Sequence, residues 1–127
     1  MANVYISFSM RDLGIVREAA YGLERTGYRV WIFYDQLSMG SPVFDGGVPE
    51  PYRRAIQNCD VFILFVSNHS IRSRNVTEEL RYAVSLEKPI IPVRLDWYYD
   101  DPQVTELLRV FDPADFTTSF YAGMDTL

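Results

Sequence analysis

Apolar residues along the chain gather in short consecutive runs, separated by stretches whose apolar positions recur with helical spacing. The strand-like runs are residues 4–8, 30–34, 61–67 and 90–95, with a weaker one at 115–118. From Val61 to Val66 and from Ile90 to Val93 the apolar positions are adjacent rather than alternating, as in parallel-sheet strands covered on both faces. Between them, Asp12 is placed to cap a helix reaching about Thr26, with Ile15, Val16, Ala19, Ala20 and Leu23 on one face and Gly27 as its stop. Residues 50–58 read as a second helix that tolerates Pro51 in its first turn, and residues 73–88 as a third, ended by Pro89. Residues 103–111 form a weaker fourth. Strand and helix alternate throughout, which predicts an α/β fold around a parallel sheet.

Two stretches depart from this rhythm. Residues 38–51 contain Gly40, Gly46, Gly47, Pro42, Pro49 and Pro51, a long loop of the kind that carries function in compact domains. Residues 121–127 follow the last strand with no covering helix, so the expectation is a fragment of a longer protein or a face covered by a partner.

At 127 residues, 48% hydrophobic and 23% charged, the chain fits one domain able to bury a core. A disordered tail, a collagen-like repeat and a disulfide-stapled miniprotein are excluded. The net charge of -5 disfavours general nucleic-acid binding but leaves room for a local basic patch. Cys59 is the single cysteine, so no internal disulfide forms and a reducing compartment is expected; it reads as a small buried apolar residue at a strand entry. The first twenty residues lack a secretory pattern, and no run reaches the roughly 18 apolar residues of a membrane span. The expectation is a soluble cytoplasmic domain without a membrane partner. The sequons at Asn68 and Asn75 would then go unused.

Open parallel sheets bind ligands beyond the carboxyl ends of their strands. That points to residues 8–12, Tyr34 and Asp35, residues 67–69, and Asp96 with Trp97. Neither G-x-G-x-x-G after the first strand nor a P-loop occurs, and the central strand ends in Ser67 rather than in a phosphoacceptor aspartate. On the third helix, at about 100° per residue, Val76, Leu80, Ala83, Val84 and Leu86 fill one arc. Glu79 falls inside that arc, while Glu78 points away. Two readings of Glu79 stand side by side: an N-terminal glutamate bridging to backbone, or a carboxylate facing the ligand crevice.

Val4-Tyr-Ile-Ser-Phe-Ser-Met-Arg-Asp12 resembles the opening F-I-S-Y-S-x-x-D of Toll/interleukin receptor (TIR) domains. Gly27-Tyr-Arg-Val-Trp31 with Asp35, Leu37 and Gly40 is similar to the family's second strand and BB loop. Ala55-Ile56, Cys59, the run to Val66 and Ser67 match its next block. Ser73, Glu79-Leu80, Ala83 and Lys88-Pro-Ile-Ile-Pro-Val93 match its third helix and fourth strand. The resemblance spans about residues 3–118. It implies a flavodoxin-like doubly wound sheet of about five parallel strands with helices on both faces, in a single domain over 1–127 without its final helix.

The family divides into adaptors that only assemble and enzymes that cleave NAD+. In the enzymes a glutamate of the third helix is catalytic, and that position maps onto Glu79. The resemblance thus implies an NAD+ nucleosidase or cyclase that releases nicotinamide, with NAD+ as substrate and no metal or further cofactor. The resemblance further implies a role in immune or cell-death signalling, switched on by assembly with other copies of the domain. Family members carry an aromatic residue four positions before the glutamate, where this chain has Asn75; Phe44 in the long loop is the candidate substitute. Phe8 and Ser9 either bound the nicotinamide riboside pocket or pack the strand end. Arg11 either meets a phosphate or a second subunit, or is simply solvated, and Asp35 is either a ligand contact or a turn-starting residue. Residues 97–99 offer aromatic surface or core, and His69 reads as an ordinary loop residue. The competing class is a non-enzymatic scaffold, which Asn75 favours as Glu79 favours the enzyme.

Overall fold

The computed structural model describes residues 2–33, 47–95 and 114–115. Its strands are β1 (Asn3–Ser7), β2 (Arg29–Trp31), β3 (Val61–Val66), β4 (Ile90–Arg94) and β5 (Ala114–Asp115); its helices are α1 (Leu13–Arg25), α2 (Glu50–Asn58) and α3 (Arg74–Ser85). The strands form one sheet in the order β2-β1-β3-β4-β5, every neighbouring pair parallel. This is the flavodoxin-like doubly wound order, in which the winding reverses between β1 and β3 and opens a crevice at their carboxyl ends. The sheet and α2 answer the sequence pattern closely. The weak helix over 103–111 and most of the loop 38–51 lie outside the described residues.

Local chemistry sets the helix ends. α1 stops in a Schellman turn: Tyr28 N–H donates to Leu23 O and Gly27 N–H to Glu24 O, at 3.1 and 3.0 Å. That turn puts Gly27 at φ 100°, where a side chain would be strained. α3 begins at the Ser73 cap, whose hydroxyl accepts from Val76 N–H at 3.3 Å. It ends earlier than Pro89 suggests. Glu87 takes the left-handed conformation, φ 57°, and Lys88 N–H closes onto Ala83 O at 3.1 Å, so backbone geometry stops the helix before the proline is reached. Asp12 also differs from expectation. It occupies the N-cap position of α1 but makes no side-chain capping bond.

Alternate residues of β1 and β3 face opposite layers. Val4, Ile6, Phe8, Ile63 and Phe65 pack with Val16, Ala19, Ala20 and Leu23 of α1. Tyr5, Phe62, Leu64 and Val66 pack with Tyr52, Ala55 and Ile56 of α2 and with Val76 and Ala83 of α3. Both faces of the central strands are therefore dry, which explains their unbroken apolar run. The apolar arc of α3 is narrower than its sequence suggests. Val84 is 50% and Leu86 38% exposed, because the buried stripe runs through Val76, Glu79 and Ala83 and leaves the edges of the arc outside.

Phe65 is fully buried in the α1 layer. Replacing it by alanine removes its packing and leaves a cavity, so Phe65→Ala is expected to cost about 3–5 kcal/mol in urea unfolding. Tyr21→Ala, at a residue 52% exposed on α1, should stay within about 0.5 kcal/mol of the parent.

Candidate functional site at the carboxyl ends of β1 and β3

Period-two alternation puts Tyr5 and Ser7 on the α2/α3 side of β1, directly under Glu79. Glu79 is 1% exposed, among the largest fully buried side chains described. The Tyr5 hydroxyl donates to Glu79 Oε2 in a short hydrogen bond. The Ser7 hydroxyl donates to Oε1 at 3.3 Å. Both donors come from β1, across the layer from α3, so Glu79 is bound to the sheet and not to the backbone of its own helix terminus by these contacts. Glu78, half-buried at 26% side-chain exposure, instead meets the exposed Arg81 at 3.4 Å, a partly solvated pair worth little.

Aromatic rings surround the Tyr5 side of this carboxylate. Tyr5 stacks on Phe62, with ring centres 5.4 Å apart, and meets Phe33 at 6.0 Å; Phe33 in turn stacks on Tyr52 at 4.2 Å. Burial, then the charge of Glu79 and the hydrogen bond to it, hold the Tyr5 hydroxyl well above its ordinary 10.0. Cys59, at the entry to β3, is buried as expected, and burial also raises its thiol from 9.0.

The crevice itself lies just beyond. A cleft of about 380 Å³ is lined by Ser9 and Arg11 after β1 and by Asn68, His69 and Arg72 after β3. Its walls are held by a serine network. Ser67 Oγ donates to Asp12 Oδ2 at 2.5 Å and accepts from the N–H groups of His69 and Ser70 at 3.2 and 3.1 Å. Ser70 Oγ accepts from Ser67 N–H at 2.8 Å. The carboxylate of Asp12, free of capping duty, thus ties the start of α1 to the turn after β3. Ser9 Oγ accepts from Arg11 N–H at 3.3 Å and shapes the short turn that carries Arg11. Two guanidinium groups, Arg11 and Arg72, give this cleft a positive character within an acidic chain.

The sequence-predicted residues divide accordingly. Ser9 and Arg11 line the cleft, whereas Glu79 is held by Tyr5 and Ser7 further back along β1 and is not among the described residues that line it. Phe8 does not join them: it is 1% exposed in the opposite, α1-side layer, where it packs the strand end. Asn75 sits half-buried in the first turn of α3, and it is not among the residues that line the cleft. Asp35 and Phe44 lie outside the described residues. Sequence reading missed Tyr5, Ser7 and Arg72; it pointed to residues 67–69 as a crevice edge, where Asn68 and His69 do line the cleft, but gave Asn68 no role and read His69 as an ordinary loop residue. The alternation Tyr5, Ser7, Ser9 was the available signal, three hydroxyls on one face of an otherwise apolar strand. Among the described residues no three His, Cys, Asp or Glu side chains cluster as a metal site. None of the described helices is long and apolar enough to cross a membrane.

The family model for the TIR domain matches residues 4–127, nearly the whole chain. The chain belongs to the TIR domain family. Solved structures agree with this fold at low identity. The TIR domain of the Toll-related receptor TRR-2 from Hydra magnipapillata superposes with a TM-score of 0.68 at 17% identity, covering 91% of this chain and 85% of that one. The TIR domains of the activated Roq1 resistosome, which directly recognizes the pathogen effector XopQ, give 0.63 at 19%, over 99% and 69%. A CMP N-glycosidase from Clostridium botulinum, BcmB, gives 0.64 at 18%, over 98% and 95%. No curated protein matches the sequence significantly. Within the TIR frame, Glu79 and the cleft occupy the reversal point of the sheet.

The raised Tyr5 hydroxyl makes the stability of this TIR domain sensitive to alkali. In the unfolded chain the hydroxyl ionises near its ordinary value, about 10, while the folded protein keeps the proton. Its contribution is complete below that pH and is lost as pH rises toward the folded value. Unfolding free energy should therefore fall more steeply above about pH 10 in the parent than in Tyr5→Phe, with the earlier decline from Cys59 common to both. Superimposable pH profiles of the two proteins in urea titrations would contradict this.

Proposed function

We propose that this TIR domain cleaves the glycosidic bond between nicotinamide and ribose in NAD+, with Glu79 as its catalytic carboxylate. The observation that carries the reading is the placement of Glu79. Its carboxylate sits on the α3 side of β1, bound by Tyr5 and Ser7, and Ser9, two residues further along the same chain, begins a crevice that carries Arg11 and Arg72 at the sheet's reversal point. The fold shared with an N-glycosidase gives the same scaffold a precedent for this class of bond.

The chemistry asks for few groups. The C1′–N bond breaks and its electron pair moves onto the pyridinium nitrogen, so nicotinamide leaves neutral and needs no general acid. Positive charge builds on the ribose C1′ and ring oxygen, and an adjacent carboxylate stabilises it. Water then adds at C1′ and loses a proton, giving ADP-ribose and nicotinamide; attack by an adenine nitrogen gives the cyclic product. In this reading Ser9 and Arg11 keep their substrate-binding role, and Arg11 and Arg72 receive the diphosphate, whose charge complements theirs. Phe33 and Tyr52, stacked on each other with Phe33 against Tyr5, are aromatic surfaces that do not depend on position 75.

Burial sets a condition on this activity. At 1% exposure Glu79 meets a nucleotide only after the packing over the carboxyl end of β1 opens. Ordering an open site costs about 1–2 kcal/mol per fixed residue, which a neighbouring copy of the domain would offset by binding that form. The proposal therefore includes activation by self-assembly, in an immune or cell-death setting within the cytoplasm. The same burial supports a second reading, a non-enzymatic assembly module in which Glu79 only tethers α3 to β1.

Two measurements separate these readings. Glu79→Gln should abolish nicotinamide release from NAD+ while keeping the parent's circular dichroism, and Glu78→Gln should leave release within about twofold. Specific activity of the parent should rise with protein concentration alongside light scattering. No nicotinamide from an assembled parent sample would favour the module, and constant specific activity from a demonstrated monomer would remove the assembly step.

A further inference from the structure

We infer that Tyr5 is the positioning residue of the site: it anchors Oε2 of Glu79 and turns Oε1 toward the substrate, with Ser7 as the exchangeable partner of Oε1. The inference rests on the NAD+ reading above for its catalytic consequence, but not for its geometry.

The two contacts on Glu79 are unequal. Tyr5 is fully buried, its ring is clamped against Phe62 and Phe33, and its hydroxyl donates to Oε2. A phenol so packed has almost no freedom to turn its donor elsewhere. Ser7 reaches Oε1 from 3.3 Å, near the limit of a hydrogen bond, through a hydroxyl that rotates freely about one bond. Direction adds to distance. Ser7 stands two residues beyond Tyr5 along β1, about 7 Å nearer the carboxyl end of the strand, where the cleft begins at Ser9. Oε1 is therefore the oxygen on the crevice side, and a ribose hydroxyl arriving there can replace the Ser7 hydroxyl one for one. Oε2 stays fixed.

A donor aimed at a carboxylate favours its ionised form, which is the form that stabilises a cationic transition state. On this face of the sheet the described titratable side chains include Tyr52 of α2, Cys59 at the entry to β3, Tyr82 of α3, whose hydroxyl accepts from Gln57 at the exposed edge, and Lys88, whose ammonium donates to the carbonyls of Gln57 and Cys59. The charged groups of the two helices, Glu50, Arg53 and Arg54 on α2 and Arg74, Glu78 and Arg81 on α3, lie on their outer sides. Tyr5→Phe keeps the ring stack, and the family pattern that residues 4–12 resemble carries phenylalanine at this position.

The test follows the Glu79 side-chain carboxyl by carbon-13 NMR in the whole chain, its signal assigned by disappearance in Glu79→Gln, together with the pH profile of nicotinamide release. In Tyr5→Phe the titration midpoint of Glu79 should rise by about one to two pH units, and the acid limb of kcat should move with it while KM stays within about twofold. Ser7→Ala should move the midpoint by less than half as much and keep kcat within about threefold. A fluorinated tyrosine at position 5, a stronger donor with the same packing, should shift Glu79 downward; this readout also serves if Tyr5→Phe does not fold. An unchanged midpoint in Tyr5→Phe or with fluorotyrosine, or a larger shift in Ser7→Ala than in Tyr5→Phe, overturns the assignment. If the midpoints move as expected but the assembled parent releases no nicotinamide, the NAD+ reading falls and the anchoring of Glu79 by Tyr5 stands.

Discussion

A carboxylate taken almost wholly out of water inside an apolar layer has to be met by donors, or its burial costs several kcal/mol. Here the donors are hydroxyls on alternate residues of β1, and this single requirement ties together elements far apart in sequence. It fixes the rotation of α3, since only one phase of that helix brings Glu79 down onto Tyr5 and Ser7. It fixes the register of β1 as well. A slip of one residue would turn Tyr5 and Ser7 toward α1 and present Val4 and Ile6 to the carboxylate, leaving it with no hydrogen-bond donor from the strand.

The same strand serves two purposes because its sides alternate. Val4, Ile6 and Phe8 build the α1 layer, while Tyr5 and Ser7 hold the carboxylate and Ser9 continues past the strand end into the cleft. At the sheet's reversal point, Ser67 and Asp12 bind the two turns that the winding sends in opposite directions. The crevice is thus a consequence of topology, made rigid by a short polar network and given its charge by Arg11 and Arg72. In a chain of net charge -5, two arginines on facing turns create a local potential that the average composition conceals.

Much of the fold was legible in the residues because parallel strands buried on both faces leave an unmistakable apolar run, and because helix stops carry local chemistry. The β3 and β4 runs, the span of α2 and the Gly27 stop all rest on interactions within a few residues. Where local cues compete, reading by sequence lost accuracy. Pro89 looks like the end of α3, but Glu87 ends it first in a left-handed turn. Asp12 looks like a cap, but a serine 55 positions away takes its carboxylate.

Sequence by itself determined the alternation of strands and helices, the acidic composition and the presence of Glu79 within an apolar arc. These follow from periodicity and composition, which are local or additive properties. Only the tertiary structure decided what meets that glutamate, that Phe8 belongs to the opposite layer, and that Asn68, His69 and Arg72 share a cleft with Ser9 and Arg11. Such pairings depend on strand order and on the relative phase of two elements more than seventy residues apart. No window along the chain contains both partners, so the contact exists as information only once the sheet has closed its β1–β3 seam.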